Sequence, residues 1–279
     1  MSMPRRIDAL RLSPAVLCAL ALSVSARADT LVERFAAPEG FTRVPVVEGS
    51  FAASLRALAL EPPGAPIVAF DGRVIDERPL AVVALDVGAK DLQQCADSII
   101  RLDAEHRLSS GARDTIAYAF TSGDVYAFDS YVAGVRPIID ARGRVRFEQR
   151  AKAVAPDRAA LRAYLDIVFM YAGTASLSAT TKPVAVNALA AGDFFVLGGF
   201  PGHAILILDV AKDASGNARY LLGEGYMPAQ SFHVVETKDG GAWHALADDG
   251  TLTVPSWSKP FGPGSTRRMA PVAVPKSKK

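Results

Sequence analysis

The stretch 192–225, GDFFVLGGFPGHAILILDVAKDASGNARYLLGEG, decides the fold. Three apolar runs lie within it, DFFVLGG, HAILILDV and ARYLLGEG, each of strand length and each bounded by glycine or polar residues. AKDASGN joins the last two with Asp, Ser, Gly and Asn, which favour turns because they bond their own backbone or tolerate unusual φ. An antiparallel meander is therefore expected. His203 opens its middle strand after GGFPG, a loop whose glycines let backbone approach closely and leave the ring accessible.

Upstream of the meander the period changes. In LQQCADSIIRLDAEHRL, residues Leu92, Cys95, Ile99, Leu102 and His106 recur at three- and four-residue steps, which predicts a helix capped by Asp91. Pro156-Asp157 starts a second helix, RAALRAYLDIVFMYA, and Gly173 stops it; being apolar nearly all round, it is expected to be the central buried helix. DTIAYAFTSGDVYAF predicts two strands around a Ser-Gly-Asp turn. Residues 29–88 read as short extended segments, with PLAVVALDV as a buried strand. Helices followed by a meander indicate an α+β class. The expected organisation is one α+β domain over 29–262, with a β-rich extension at 29–88 and a disordered basic tail at 263–279.

The ends of the 279-residue chain carry signals of their own. Arg5, Arg6 and Arg11 precede an apolar run from Leu12 to Val24, and Ala26-Arg27-Ala28 follows, which is the pattern of a signal peptide cut after Ala28. The run is shorter than the roughly 20 residues that a membrane span needs. A lipid anchor at Cys18 is disfavoured by the bulky Leu17 before it. These features predict a periplasmic or secreted protein with no transmembrane segment. Removing four Arg and one Asp with the peptide leaves 27 basic against 28 acidic residues, so the chain is near neutral. Its positive charge collects in STRRMAPVAVPKSKK, a solvated tail instead of a folded basic face, and no nucleic-acid partner is expected. Oligomeric state is not written in the sequence.

Cys95 becomes the only cysteine after cleavage and cannot form an intramolecular disulfide. Within the first turn of its helix, free N–H groups and the dipole favour a thiolate. A nucleophilic thiol needs a base. His106 lies eleven residues along the same helix, about 16 Å away, and cannot reach. His244 reads as a surface residue and His233 as a strand residue, which leaves His203. Asp209 shares its parity but lies about 20 Å along the strand. Folding the hairpin about Ser215 brings Glu224 or its neighbours opposite His203, about 5 Å across the strands, and Glu224 is the candidate to orient the ring. Gln94 or Gln93 is a candidate oxyanion donor. No zinc-type ligand spacing and no phosphate-cradling loop occurs, so neither metal nor cofactor is expected.

The blocks SFAASLRALAL, DGRVIDERPLAVVALDVGAKDLQQC, FMYAGTASL, GDFFVLGGFPGHAILILDVA and YMPAQSFHVV, between Leu31 and Trp257, resemble the bacterial exported family described as domain of unknown function 4846. The resemblance supplies no activity. More remotely, a Cys at a helix start, then Gly192-Asp193, Gly202-His203 and a polar residue on the next strand resemble papain-like peptidases of the NlpC/P60 and CHAP type. That resemblance implies a Cys-bearing helix packed on a β-meander, with Cys95 as nucleophile, His203 as base and Glu224 in third place. Gln94-Cys95 replaces the usual Asp-Cys there. The resulting expectation is a thiol hydrolase or acyl-transfer enzyme acting on cell-envelope peptide or amide bonds. Its rival is a non-catalytic envelope module in which Cys95 only fills the core.

Overall fold

The computed structural model describes residues 29–273. The signal-peptide reading, Cys18 and the last six residues of the tail lie outside the described residues. Mixed α+β architecture is observed, built on one eight-stranded antiparallel sheet with a few helices. Its strands are β1 (Thr42–Arg43), β2 (Lys182–Pro183), β3 (Asp193–Leu197), β4 (His203–Lys212), β5 (Ala218–Glu224), β6 (His233–Val234), β7 (Trp243–His244) and β8 (Thr266–Arg268). The order is β6-β5-β4-β3-β8-β2, with β1 paired to the far end of β4 and β7 to β5. Every pairing is antiparallel. No described helix is long and apolar enough to cross a membrane.

The meander forms as its residues dictate. Asp213 accepts hydrogen bonds from the N–H groups of Ser215 and Asn217, and Gly216 takes φ +87°, closing the β4–β5 turn. In β4 every residue from His203 to Ala211 is buried. One set of its side chains, including Ala204, Leu206 and Leu208, joins a core with Ile99, Ile100, Tyr164, Leu165 and Phe232. The alternate set, including Ile205 and Ile207, joins a second core with Phe195, Tyr220, Leu222, Leu252 and Phe261. The register shifts between Ile207 and Asp209, where one β4 residue is left without a partner on β5.

Four helices matter for the site: α1 (Phe51–Arg56), α2 (Cys95–Ser109), α3 (Arg158–Tyr171) and α4 (Thr174–Thr180). Asp157 caps α3 by accepting from the Ala160 N–H, as its sequence predicts. The cap of α2 differs. It is Gln94, and the helix begins at Cys95, because Asp97 turns back to accept from the Gln94 N–H. Asp91 instead accepts from the Ala229 N–H and the Gln94 side chain. The buried helix is also α2 and not α3. All ten residues from Cys95 to Ala104 are buried, whereas α3 exposes Met170 and Tyr171. Charged residues hid this in the sequence: Arg101 is tied to Asp86, Gln93 and Glu105, and Asp103 to Tyr118 and Arg107.

Two further expectations are corrected. Residues 29–88 contain the helices Leu31–Arg34 and α1 beside only short strands, and PLAVVALDV makes isolated bridges from Val82 and Val83 instead of a ladder strand. The tail does not start at 263. Thr266–Arg268 enters the sheet between β3 and β2, where Arg268 pairs at 2.6 Å with Asp193, itself 1% exposed. Basic composition suggested solvation, but Arg268 is matched by a buried carboxylate and Arg267 bonds backbone carbonyls of Ser178, Gly264 and Thr266.

Asp209 fastens the N-terminal segment to β4. Fully buried, it accepts from Arg43 at 2.6 Å and from Arg56 at 2.6 Å and 2.9 Å. Replacing it by Asn removes the charge both guanidiniums face. Urea titration of Asp209→Asn is expected to show a loss of about 2–3 kcal/mol, toward the low side for a buried pair because both arginines retain some solvent.

Candidate active site

His203 and Glu224 meet as the hairpin geometry requires. Leu206 pairs with Gly223, so Glu224 reaches diagonally across the strands, and its Oε2 lies 2.6 Å from His203 Nε2. Both are about 1% exposed. Burial opposes a charge on Glu224, but the His203 and His233 rings outweigh it and hold the carboxyl down at about 2. An ionised Glu224 accepts from Nε2–H. In its neutral form the ring therefore carries its proton on Nε2 and keeps a lone pair on Nδ1, which makes no hydrogen bond among the described residues.

Three aromatic rings fix the imidazole. Trp257 stacks on it at 4.9 Å and 26°, Tyr226 lies at 5.0 Å, and Phe261 at 6.1 Å. Trp257 and Phe261 come from the hairpin Leu252–Val254/Trp257–Phe261, which covers the second core. His233, directly opposite Glu224 in the ladder, brings its Nε2 to 3.6 Å from Oε1.

Cys95 stands at the first position of α2, 6% exposed. The backbone amides of Ala96 and of Ala204, the residue after His203, lie near enough to favour its thiolate. Close approach is possible because Gly225 has no side chain: a Cβ there would lie 2.5 Å from Ser98 Oγ and 3.0 Å from Gln94 O. Gly202 is equally constrained, its Cβ falling 2.2 Å from Thr174 Oγ1. Glu224 and Tyr226, both touching the His203 ring, are near enough to Cys95 for their charges to interact with its own. Burial and then Asp97 push the thiol up to about 12, against the pull of the two amides. The lowering expected from the helix start is thus reversed, because desolvation and a neighbouring carboxyl exceed what the amides supply.

A cleft of about 270 Å³ opens beside Cys95. Gly199, Phe200, Pro201 and Gly202 form one wall and residues 169–174 another. Phe200 is 91% exposed, and Met170, Tyr171 and Met227 are also exposed along the same cleft. The rim of the cleft is therefore largely apolar. Gln94 lines the cleft, but Gln93 does not reach it. The Gln93 amide is fully buried, donating to Asp86 O and accepting from Arg101 and Arg162, so its part is structural and it is withdrawn as an oxyanion donor.

Of the other histidines, His244 departs from the sequence reading. His244 is buried in β7 and bonded to Val235 O at 3.0 Å, not at the surface. His106 packs against Phe51. His233 lies in a strand as expected, and its place opposite Glu224 also makes it the second imidazole on that carboxylate. Trp257 and Tyr226 carried no sequence signal of their places at the His203 ring. Among the described residues no cluster of three or more His, Cys, Asp or Glu is arranged to hold a metal ion.

The family model described as domain of unknown function (4846) matches residues 31–268. The chain belongs to this family. Neither a curated protein nor a solved structure matches the chain. Family membership covers Cys95, His203 and Glu224 together, with every element that positions them.

The sign of the Glu224 shift predicts an acid limb. Its pKa falls from 4.5 to about 2 on folding, so its contribution to stability is complete above 4.5 and is lost as pH falls through about 2. Glu224→Gln should be less stable than the parent at neutral pH, and the gap should close across that window in urea titrations. A gap that stays constant would contradict an ionised Glu224.

Proposed function

We propose that the chain is an exported thiol hydrolase or acyl-transfer enzyme, with a papain-like arrangement of the NlpC/P60 type, acting on peptide or amide bonds of the cell envelope. One observation carries this reading: the buried His203–Glu224 pair, at 2.6 Å, adjoins Ala204, which packs in the same core as Cys95 and whose amide favours its thiolate. Envelope substrates follow from the export signal read over residues 1–28 and from the remote resemblance.

In this reading the resting nucleophile is a neutral thiol. As Sγ bonds to a substrate carbonyl carbon, its proton passes to His203 Nδ1, and the carbonyl π pair moves onto oxygen. Glu224 stabilises the imidazolium and fixes the ring through Nε2. His203 then returns the proton to the departing amine, leaving an acyl-thioester that water or a second amine cleaves. The exposed Phe200 and Met227 offer an apolar surface to the substrate beside the cleft.

A second reading is favoured by one specific observation, the 6% exposure of Cys95: the chain is a non-catalytic binding or structural module with a core thiol. Single-turnover acylation of Cys95 by a peptide nitrophenyl ester, followed by intact mass, separates the two. Under the enzymatic reading Cys95 is acylated, and His203→Ala slows this on the order of 100-fold or more without loss of fold. Under the rival, acylation is equally slow with and without His203, while Cys95→Ala costs about 1 kcal/mol of stability.

A further inference from the structure

Asp97 lies two residues beyond Cys95 on α2 and lines the same cleft. Its Oδ2 accepts from the Gln94 N–H at 3.1 Å, closing the first helical turn. The other oxygen, Oδ1, is buried and has no hydrogen-bond partner. Buried polar atoms are nearly always satisfied, so an orphan in a cleft calls for a partner from outside. Burial raises this carboxyl to about 8, which keeps it protonated at neutral pH. Since Oδ2 is already an acceptor, the proton belongs on Oδ1, and the unmet group is a donor. No Lys, Arg or His lines the cleft, and two of its polar side chains are already engaged: the Gln94 amide with Asp91, the Thr174 hydroxyl with Gly199 O.

We propose that Asp97 binds substrate, donating a hydrogen bond from Oδ1 to the oxygen of the carbonyl that Cys95 attacks. The proposal rests on the nucleophilic reading of Cys95 and supplies the oxyanion donor that Gln93 cannot be. As the Sγ–C bond forms and the π pair moves to oxygen, Asp97 keeps its proton and its hydrogen bond strengthens toward the new charge. An ionised Asp97 would instead set a second negative charge beside that oxygen. The other titratable groups facing this region are Asp91 and Tyr171 in the cleft, Cys95 on the same helix, and His203, Glu224 and Tyr226 beyond the thiol.

The test is single-turnover acylation of Cys95 by a peptide nitrophenyl ester, from well below to well above pH 8, in the full chain. Wild type is expected to slow as pH rises through about 8. Asp97→Asn, which can still accept from Gln94 and donate from its amide but cannot ionise, should lose that decline. Asp97→Leu should be slower at every pH, on the order of 10-fold or more. The proposal is overturned if Asp97→Asn keeps the same high-pH decline, or if folded Asp97→Leu acylates as fast as wild type. Failure of the underlying reading looks different: acylation of Cys95 would then not depend on His203 at all.

Discussion

Strand β4 has a hydrophobic core on each face, and this constraint organises the molecule. A strand buried on one side can slip or bend toward solvent, but one buried on both must hold a single register, since a one-residue shift would exchange every side chain between the two cores. The consequence for the site is direct. Ala204 is held toward α2 and its backbone toward Cys95, while the His203 ring is held among Trp257, Tyr226 and Phe261. Glu224 then needs only the β5 pairing to arrive at 2.6 Å. Precision at the His203–Glu224 pair is thus a property of the sheet and not of a flexible loop.

The meander was legible because its information is local. Three apolar runs and an Asp-Ser-Gly-Asn turn specify two hairpins with little help from elsewhere, and counting back from Ser215 was enough to bring Glu224 near His203. The two cores that fix the ring were not legible. Trp257 reaches His203 from a hairpin more than fifty residues on, and no short-range pattern encodes that approach. The strand at Thr266–Arg268 was missed for a related reason: its arginines look like a solvated tail until Asp193 is placed beside Arg268. Helix α2 was found but misjudged. Hydropathy treats Arg101 and Asp103 as surface residues, whereas pairing with Asp86 and Tyr118, fifteen residues away in each case, permits their burial.

The thiol shows where local rules give the wrong sign. A helix N-terminus favours a negative charge by a modest amount, and that preference is all the sequence can express. Burial acts in the opposite direction and is set by the whole fold, through the packing of α2 on β4 and the carboxyl of Asp97. The state of the Cys95 thiol is therefore set by tertiary structure. In the proposed mechanism its attack depends on a proton acceptor near an arriving carbonyl, and not on a standing thiolate.

That neutral thiol has a consequence for endurance. Peroxide oxidation and disulfide exchange both consume thiolates, and both proceed slowly with a thiol held at about 12 and 6% exposed. In oxidising surroundings a free cysteine in permanent thiolate form would be converted to sulfenic acid or a mixed disulfide. Cys95, buried and neutral, resists both conversions, so the fold that silences the sulfur also preserves it.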